Sequence, residues 1–158
     1  MARQRTVPHL VVARQQFLVL RTESDGTFRV KCDDGNGNDN TSLITGYCDI
    51  SSSSNSIDWR FVFQGKNNKH YALHYDVQND AFTTQSFDTA NPDSSTATIF
   101  VPDGFEGSAL FTALIISGTQ QPQKCIAATA TLNGSLSSKA VSSEHNLDTI
   151  FVISKILN

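Results

Sequence analysis

The stretch FLVLRTESDGTF, Phe17 to Phe28, has the pattern of a β-hairpin, because an apolar run leads through Asp25-Gly26 into a second strand. The same pattern recurs without a gap as YALHYDVQNDAF, Tyr71 to Phe82, and as CIAATATLNGSL, Cys125 to Leu136. The two spacings are equal, since 82 − 28 and 136 − 82 are both 54. One shift that aligns three hairpins indicates an internal repeat of three units.

Matching positions of the three hairpins share their chemistry. The matching sets are Asp25, Asn79 and Asn133 in the turns, and Phe28, Phe82 and Leu136 at the returning strands. Asx residues hydrogen-bond their own backbone in turns, and the large apolar residues are predicted to return to the core. Gly26 and Gly134 suit a positive φ, for which Asp80 is the weaker substitute. A second echo, TIFV, occurs at Thr98–Val101 and again at Thr149–Val152.

The rest of the chain consists of short runs rich in Val, Ile, Phe, Tyr and Thr, separated by Gly, Asn, Asp, Ser and Pro. No long segment keeps the apolar spacing of a helix. We count twelve such runs, the first beginning at His9 and the last ending at Lys155, and they predict an all-β chain.

The period near 54 divides twelve strands into three units of four, at about residues 7–52, 57–104 and 107–157 of a single domain that covers residues 1–158. Such units bury their apolar faces if two strands of each close a six-stranded barrel and the other two form a hairpin that caps one end. That pseudo-threefold arrangement is the β-trefoil, which we predict here. A two-sheet sandwich is the alternative, but it gives no reason for a threefold period.

Charge and cysteine content limit the classes of partner. The formal net charge of −3 argues against dependence on nucleic acid or other polyanions, which need clustered Lys and Arg. Cys32, Cys48 and Cys125 are odd in number and show no CxxC spacing, which predicts free thiols in a reducing compartment. The start MARQRTVPHLVV lacks the apolar centre of a signal peptide, and no run approaches the ~20 apolar residues of a membrane span. We expect synthesis in the cytoplasm and no membrane insertion.

No residue pattern typical of a metal or catalytic site is found in the sequence. His70 and His74 fall on a predicted strand, where four residues span ~13 Å, too far for one ion. The oxygen-rich segment Asp33–Asn40 lacks the twelfth-position acid and the flanking helices of a calcium loop. A G-x-S-x-G motif is also absent. We therefore predict a non-enzyme without a metal or cofactor.

Loops that differ among repeated units usually carry the specificity of a repeat fold. In this chain those loops are Asp33–Asn40, Asp49–Asp58, Asp88–Thr96 and Ser117–Lys124. The residues that we predict to contact a partner are Asp49, Asn55, Asn91, Gln121 and Lys139.

Over nearly its whole length the chain resembles the interleukin-1 family of cytokines. The segment Lys69–Asp88 is similar to the hairpin of that family, and LFTAL keeps a Phe at Phe111. PQKCIAATA, Pro122–Ala130, and NLDTIFVISKI, Asn146–Ile156, are similar to the later strands of the family. The resemblance implies a β-trefoil with free cysteines that is secreted by an unconventional route without a signal peptide. It also implies a monomeric signalling ligand that binds an immunoglobulin-type cell-surface receptor.

The chain departs from that family at identifiable positions. Thr112 and Ala113 stand where the family carries Glu and Ser, and Cys125 takes an aromatic position. No Pro-Val-x-Leu-Gly run occurs near Trp59–Gly65. No receptor-contact motif aligns, so no contact residue is carried over from the resemblance.

A carbohydrate-binding or protease-inhibiting β-trefoil is the alternative function. The ricin-type lectins repeat a Gln-x-Trp signature, whereas this chain has only Trp59. Three cysteines cannot form the two disulfides of Kunitz-type inhibitors, and the Lys-poor tract Leu132–Asn146 does not resemble the heparin-binding surface of fibroblast growth factors. If the chain does bind sugar, Trp59 or Tyr75 is expected to stack on the ring.

Overall fold

The structure is a computed structural model, and it describes residues 2–7, 9–12, 16–22, 24–25, 27–33, 44–50, 57–65, 68–104, 111–119, 122–128, 135–141, 149 and 151–154. These residues form strands, apart from turns, loops, a 3₁₀ turn at Pro92–Ser94 and Thr149, which is also in 3₁₀ conformation. The strands are β1 (Ala2–Val7), β2 (His9–Val12), β3 (Gln16–Thr22), β4 (Phe28–Asp33), β5 (Ile44–Ile50), β6 (Ile57–Gln64), β7 (His70–Asp76), β8 (Ala81–Ser86), β9 (Phe100–Gly104), β10 (Phe111–Ile116), β11 (Lys124–Ala128), β12 (Leu136–Ala140) and β13 (Phe151–Ser154). The prediction of an all-β chain is confirmed.

All these strands belong to one sheet that nearly closes into a barrel-like shape. Neighbouring strands follow the order β1-β5-β6-β9-β10-β13-β2, and the pairs along this path are antiparallel. The two ends of the path, β1 and β2, are separated in sequence by a single residue, Pro8. β1 and β2 follow each other in the chain but lie at opposite ends of the path. The sheet must therefore curl back toward itself to bring these two ends close together.

Three hairpins branch from this path. β2 pairs with β3, which pairs with β4; β6 pairs with β7, which pairs with β8; and β10 pairs with β11, which pairs with β12. The returning strands β4, β8 and β12 contact one another. We call the surface where these three strands meet the hairpin junction.

The strand count is a correction to the sequence prediction. The part of the chain that the structure describes contains thirteen strands, not twelve, because β1 lies ahead of the first predicted strand. β1 carries Arg3 and Arg5 and lacks the apolar run that marks the other strands. It pairs with β5 along its whole length, from Ala2 opposite Asp49 to Val7 opposite Ile44. Backbone pairing, which a search for apolar patterns does not detect, accounts for this strand.

The hairpins differ in length where the sequence repeat has no gap. The equivalent returning residues Phe28, Phe82 and Leu136 pair with Thr22, Tyr75 and Ala128, respectively. The stretches between these equivalent partners are 23–27, 76–81 and 129–135, each one residue longer than the one before, and in the second hairpin the pairing continues one step further, to Asp76 opposite Ala81. The gapless alignment thus matches the returning strands, whereas the outgoing strands are shifted by one residue in the second hairpin and by two in the third.

The main core lies inside the barrel-like sheet. In β6 the alternation of a strand places Trp59, Phe61 and Phe63 in this core, and puts Val62 in a smaller cluster on the opposite face. The two TIFV echoes contribute Phe100 and Phe151, both fully buried, on β9 and β13. Both strands pair with β10.

The predicted return of an apolar side chain in each hairpin is also confirmed. Phe82 and Leu136 are buried in the main core, and Phe28 packs against it while partly buried. Cys125, on the outgoing strand of the third hairpin, has a buried side chain. In the described part of the chain, no helix has the length and apolar character needed to cross a bilayer.

Candidate functional site

The turn that leads into β8 is fixed by its own side chains. The Asp76 carboxylate accepts hydrogen bonds from the backbone N–H of Gln78 at 3.0 Å and from that of Asn79 at 3.3 Å. The Asn79 side-chain amide donates to Asp76 Oδ2 at 2.6 Å, and this bond lowers the pKa of Asp76. The chain then passes through a positive φ of 48° at Asp80, as the sequence predicts. Asp80 is thereby held facing the third hairpin.

Asp80 joins the second and third hairpins through one carboxylate oxygen. The hydroxyls of Tyr75 and Ser138 both donate to Asp80 Oδ1. Lys124 Nζ donates to the same oxygen at 3.1 Å and to the Tyr75 hydroxyl oxygen at 3.2 Å. The Lys124 ammonium also lies 5.9 Å from the centroid of the Tyr75 ring. β7, β11 and β12 are therefore linked at this one carboxylate.

The network keeps the carboxylate of Asp80 and the ammonium of Lys124 charged. The hydrogen bond from Ser138, followed by those from Tyr75 and Lys124, lowers the pKa of Asp80 to about 2. The hydrogen bond to Tyr75 and then that to Asp80 raise the pKa of Lys124. A general base or an amine nucleophile at neutral pH needs the opposite shifts. The arrangement of Asp80 and Lys124 therefore suits cohesion between hairpins rather than proton transfer.

A cleft of about 290 Å³ lies at the hairpin junction, and we call it the junction cleft. Its lining comes from all three returning strands and the residues just before them: Arg29, Val30, Asp80, Ala81, Phe82, Ser135, Leu136 and Ser137. The buried side chains of Val30, Phe82 and Leu136 supply its apolar part. Arg29, Asp80 and the two serines give it a polar rim.

A second depression of about 360 Å³ lies between the first and second hairpins, and we call it the aromatic groove. Its lining residues are Thr27, Phe28, Arg29, Tyr71, Thr83, Thr84 and Ser86. The rings of Phe28 and Tyr71 have centroids 4.4 Å apart at an interplanar angle of 32°. Four hydroxyl-bearing residues besides Tyr71 surround these rings. Arg29 lines both depressions and so lies between them.

Gly65 determines where the Tyr71 ring can lie. A Cβ atom on Gly65 would come within 2.8 Å of Tyr71 Cε2, which is closer than real contacts allow. The Gly65 N–H also donates to the carbonyl of Lys69 at 2.7 Å, closing the turn between β6 and β7. The absent side chain of Gly65 therefore gives the groove its aromatic wall.

The five predicted contact residues are distributed over several elements. Asp49 lies on β5, opposite Asp58 of β6 and Ala2 of β1. Asn91 is exposed and precedes the 3₁₀ turn, and its N–H donates to the carbonyl of Asp88 at 3.2 Å. Lys139 is exposed on β12. Asn55 and Gln121 lie outside the described residues. A role for these five residues in partner contact stays a prediction.

The prediction that Trp59 or Tyr75 could stack on a sugar is wrong. Trp59 and Tyr75 are only 7% and 3% exposed, because both belong to the main core. Neither ring can stack on a ligand from solvent. The half-buried pair Phe28 and Tyr71 was not singled out, since its exposure depends on the contact between hairpins. The signal available in the sequence was the place of Phe28 in the returning-strand set, with Arg29 next to it.

Comparisons with protein-family models and with curated proteins give no match to this chain. Within the described ranges, no group of three or more His, Cys, Asp and Glu side chains is placed to hold a metal ion. The polar groups that the structure does bring together are the Asp80 network and the two depressions on either side of Arg29.

Proposed function

We propose that this chain is a β-trefoil that acts as a cytokine-like signalling ligand of the interleukin-1 type. In this proposal it binds an immunoglobulin-type receptor through its loops and performs no catalysis. It acts as a monomer outside the cell, which it reaches by an unconventional route.

The strand pairing supports the trefoil part of the proposal. Three strands of the barrel-like path, β2, β6 and β10, each carry one hairpin, and the three returning strands meet at one junction. The spacing of 54 between the sequence repeats matches this threefold division of the sheet. A sandwich of two separate sheets is disfavoured, because all thirteen described strands belong to one sheet.

The observation that carries the functional part is the charge state of the most connected polar cluster. Hydrogen bonds from Ser138, Tyr75 and Lys124 lower the pKa of Asp80, hydrogen bonds to Tyr75 and Asp80 raise the pKa of Lys124, and both charged groups are thereby engaged within the protein. The depressions described above and the exposed loop at residues 88–94 are surface features of the described residues that are suited to recognition. A receptor complex would bury about 1,200–2,000 Å² in total, a size that loops along one edge of a small β protein can supply. The resemblance to the interleukin-1 family selects a receptor as the partner.

The alternative functions remain a lectin or a protease inhibitor. Burial of Trp59 and Tyr75 removes the stacking residues that the sequence offered for the lectin. Measuring retention of the purified chain by a panel of immobilised immunoglobulin-type receptor ectodomains tests the proposal. We expect one ectodomain to bind with a Kd of about 1 μM or tighter. Binding to a glycan array or inhibition of a protease, with no ectodomain retained, would reject the cytokine proposal.

A matched pair of multiple variants tests the predicted contacts. Changing Asp49, Asn55, Asn91, Gln121 and Lys139 together to Ala should weaken receptor binding at least about tenfold, as loss of central contacts does. The control changes the exposed residues Gln64, Lys69 and Gln78 to Ala, and these lie outside the four loops that differ among the repeated units. Equal affinity of both variants would show that the partner binds elsewhere.

A further inference from the structure

Arg29 is an exposed cation whose side chain has no hydrogen bond or ion pair with the described residues. Two acids lie near it. Asp25 receives the Thr27 N–H at 2.9 Å and the Thr27 hydroxyl at 2.6 Å, and Arg29 contributes a smaller part of the lowering of its pKa. Asp80, across the junction cleft, is already paired with the Lys124 ammonium. The guanidinium of Arg29 is therefore available to an acidic group from solution.

The chemistry of Arg29 favours a carboxylate on the ligand. A guanidinium presents a planar fork of donors that matches a carboxylate with two parallel hydrogen bonds. A sulfated polyanion needs several cations in one patch, whereas Arg29 is the one cation that lines either depression among the described residues. The site suits a ligand with a single negative charge.

The aromatic groove beside Arg29 contains side-chain hydroxyls and two half-buried aromatic rings. The Tyr71, Thr83 and Ser86 hydroxyls make no hydrogen bond with other residues in the described ranges, while Thr84 Oγ1 donates to the Phe28 carbonyl at 3.3 Å. Hydroxyl groups of this kind both donate to and accept from the hydroxyls of a sugar. The half-buried rings of Phe28 and Tyr71 give an apolar surface for the C–H face of a pyranose.

The dimensions of the groove limit the ligand to about one or two sugar rings. Its volume of about 360 Å³ lies at the lower end of the roughly 300–1,000 Å³ of small-molecule sites. It is open on one side, so a longer glycan could extend beyond it into solvent.

We propose that the aromatic groove and Arg29 form a binding site for a saccharide that carries a carboxylate, such as a uronic acid residue. Arg29 pairs with the carboxylate, the Tyr71, Thr83 and Ser86 hydroxyls bind the ring hydroxyls, and Phe28 and Tyr71 contact the ring. This site is additional to the proposed receptor surface and uses none of the five predicted contact residues.

A matched pair of ligands tests the role of the carboxylate. Methyl β-glucuronide and methyl β-glucoside have the same ring and differ in the group on C5, a carboxylate in one and a hydroxymethyl in the other. In NMR titrations of the purified chain we expect the glucuronide to bind with a Kd of about 1 mM. Shifts should be confined to the residues of the groove, and the glucoside should bind about tenfold more weakly. No binding of the glucuronide, or equal binding of both sugars, would overturn the proposal.

A matched pair of variants tests the role of Arg29. Arg29→Gln should weaken glucuronide binding about tenfold, whereas Lys69→Gln, which removes the same charge from an exposed position outside the groove, should change it less than about twofold. An equal loss of glucuronide affinity in both variants would mean that only the net charge of the protein matters, and it would overturn the proposal. Thr83→Val should weaken the binding of both sugars by the same factor, because it removes a hydroxyl that binds a hydroxyl group common to both sugars. Thermal unfolding of each variant confirms that the fold is intact, and Thr83→Val decides the matter if Arg29→Gln does not fold.

Discussion

The interior of the barrel-like sheet and the hairpin junction are held together by different forces. The interior contains the fully buried Phe61, Phe63, Phe100 and Phe151, and the last two occupy the same position of the repeated TIFV stretch. The junction is joined by one carboxylate, that of Asp80, whose contacts come from the second and third hairpins, while Gly26 and Gly134 stand at the matching positions of the sequence repeat. Repeated positions therefore contribute to the core, while a residue that differs among the units supplies the polar link.

This contrast separates two kinds of energetic contribution. Burial of large aromatic side chains is insensitive to pH and costs several kcal/mol when it is lost. Hydrogen bonds among partly exposed groups are weaker, because water competes for them, and they depend on ionisation. Stability should thus reside mainly in the interior, and sensitivity to conditions mainly in the junction.

The largest expected effect comes from emptying the interior. Phe100→Ala removes a fully buried ring on β9 and should lower the free energy of unfolding by about 3–5 kcal/mol. Val77→Ser, at a turn position that is 68% exposed, should change it by less than about 0.5 kcal/mol. Urea unfolding followed by tryptophan fluorescence measures both. Similar losses in the two variants would contradict the placement of the core.

An intermediate effect is expected where the sheet meets the aromatic groove. Gly65→Ala forces the Tyr71 ring to move and should cost about 1–3 kcal/mol. In a Tyr71→Ala background the same change should cost almost nothing, because the obstructing ring is gone. A double-mutant cycle by urea unfolding measures this coupling. Additive losses would mean that Gly65 acts through its backbone rather than through the space it leaves.

The smallest effect is expected at the junction and depends on pH. The folded-state pKa of Asp80, about 2, lies below its ordinary value of 3.8. The stabilisation by its carboxylate is therefore present above about pH 4 and is lost as the pH falls through about 2. Asp80→Asn tolerates the positive φ and should be less stable than the parent at neutral pH, with the difference shrinking toward pH 2.

Asp93→Asn is the control for that prediction, since it removes a carboxylate from the exposed 3₁₀ turn. Its stability should follow that of the parent chain across the same pH range, as judged by unfolding midpoints. If Asp80→Asn and Asp93→Asn give parallel curves, the junction has no special dependence on ionisation.

Features that depend on local sequence could be predicted. The alternation of apolar residues identified the all-β chain, and the returning-strand set correctly placed Phe82 and Leu136 in the core. The turn pattern also gave the positive φ at Asp80. Each of these depends on residues that are close in sequence, where propensity and turn chemistry decide the conformation.

Features that depend on contacts between units could not be predicted. The pairing of Phe28 with Tyr71 and the use of Arg29 by two depressions arise only where β4 meets β8. Trp59 and Tyr75 were the sugar-stacking residues named for the alternative function, yet both are buried in the main core. The shifts of one and two residues in the outgoing strands lie in the pairing register of the hairpins, and a gapless repeat conceals them.

The pairing of β13 with β2 joins the last described strand to one of the first. During synthesis on the ribosome, His9–Val12 must wait without this neighbour until Phe151–Ser154 has emerged. Contacts of such long sequence separation slow folding, because loop closure costs entropy before the contact forms. The barrel-like sheet therefore closes only after β13 has emerged and can pair with β2.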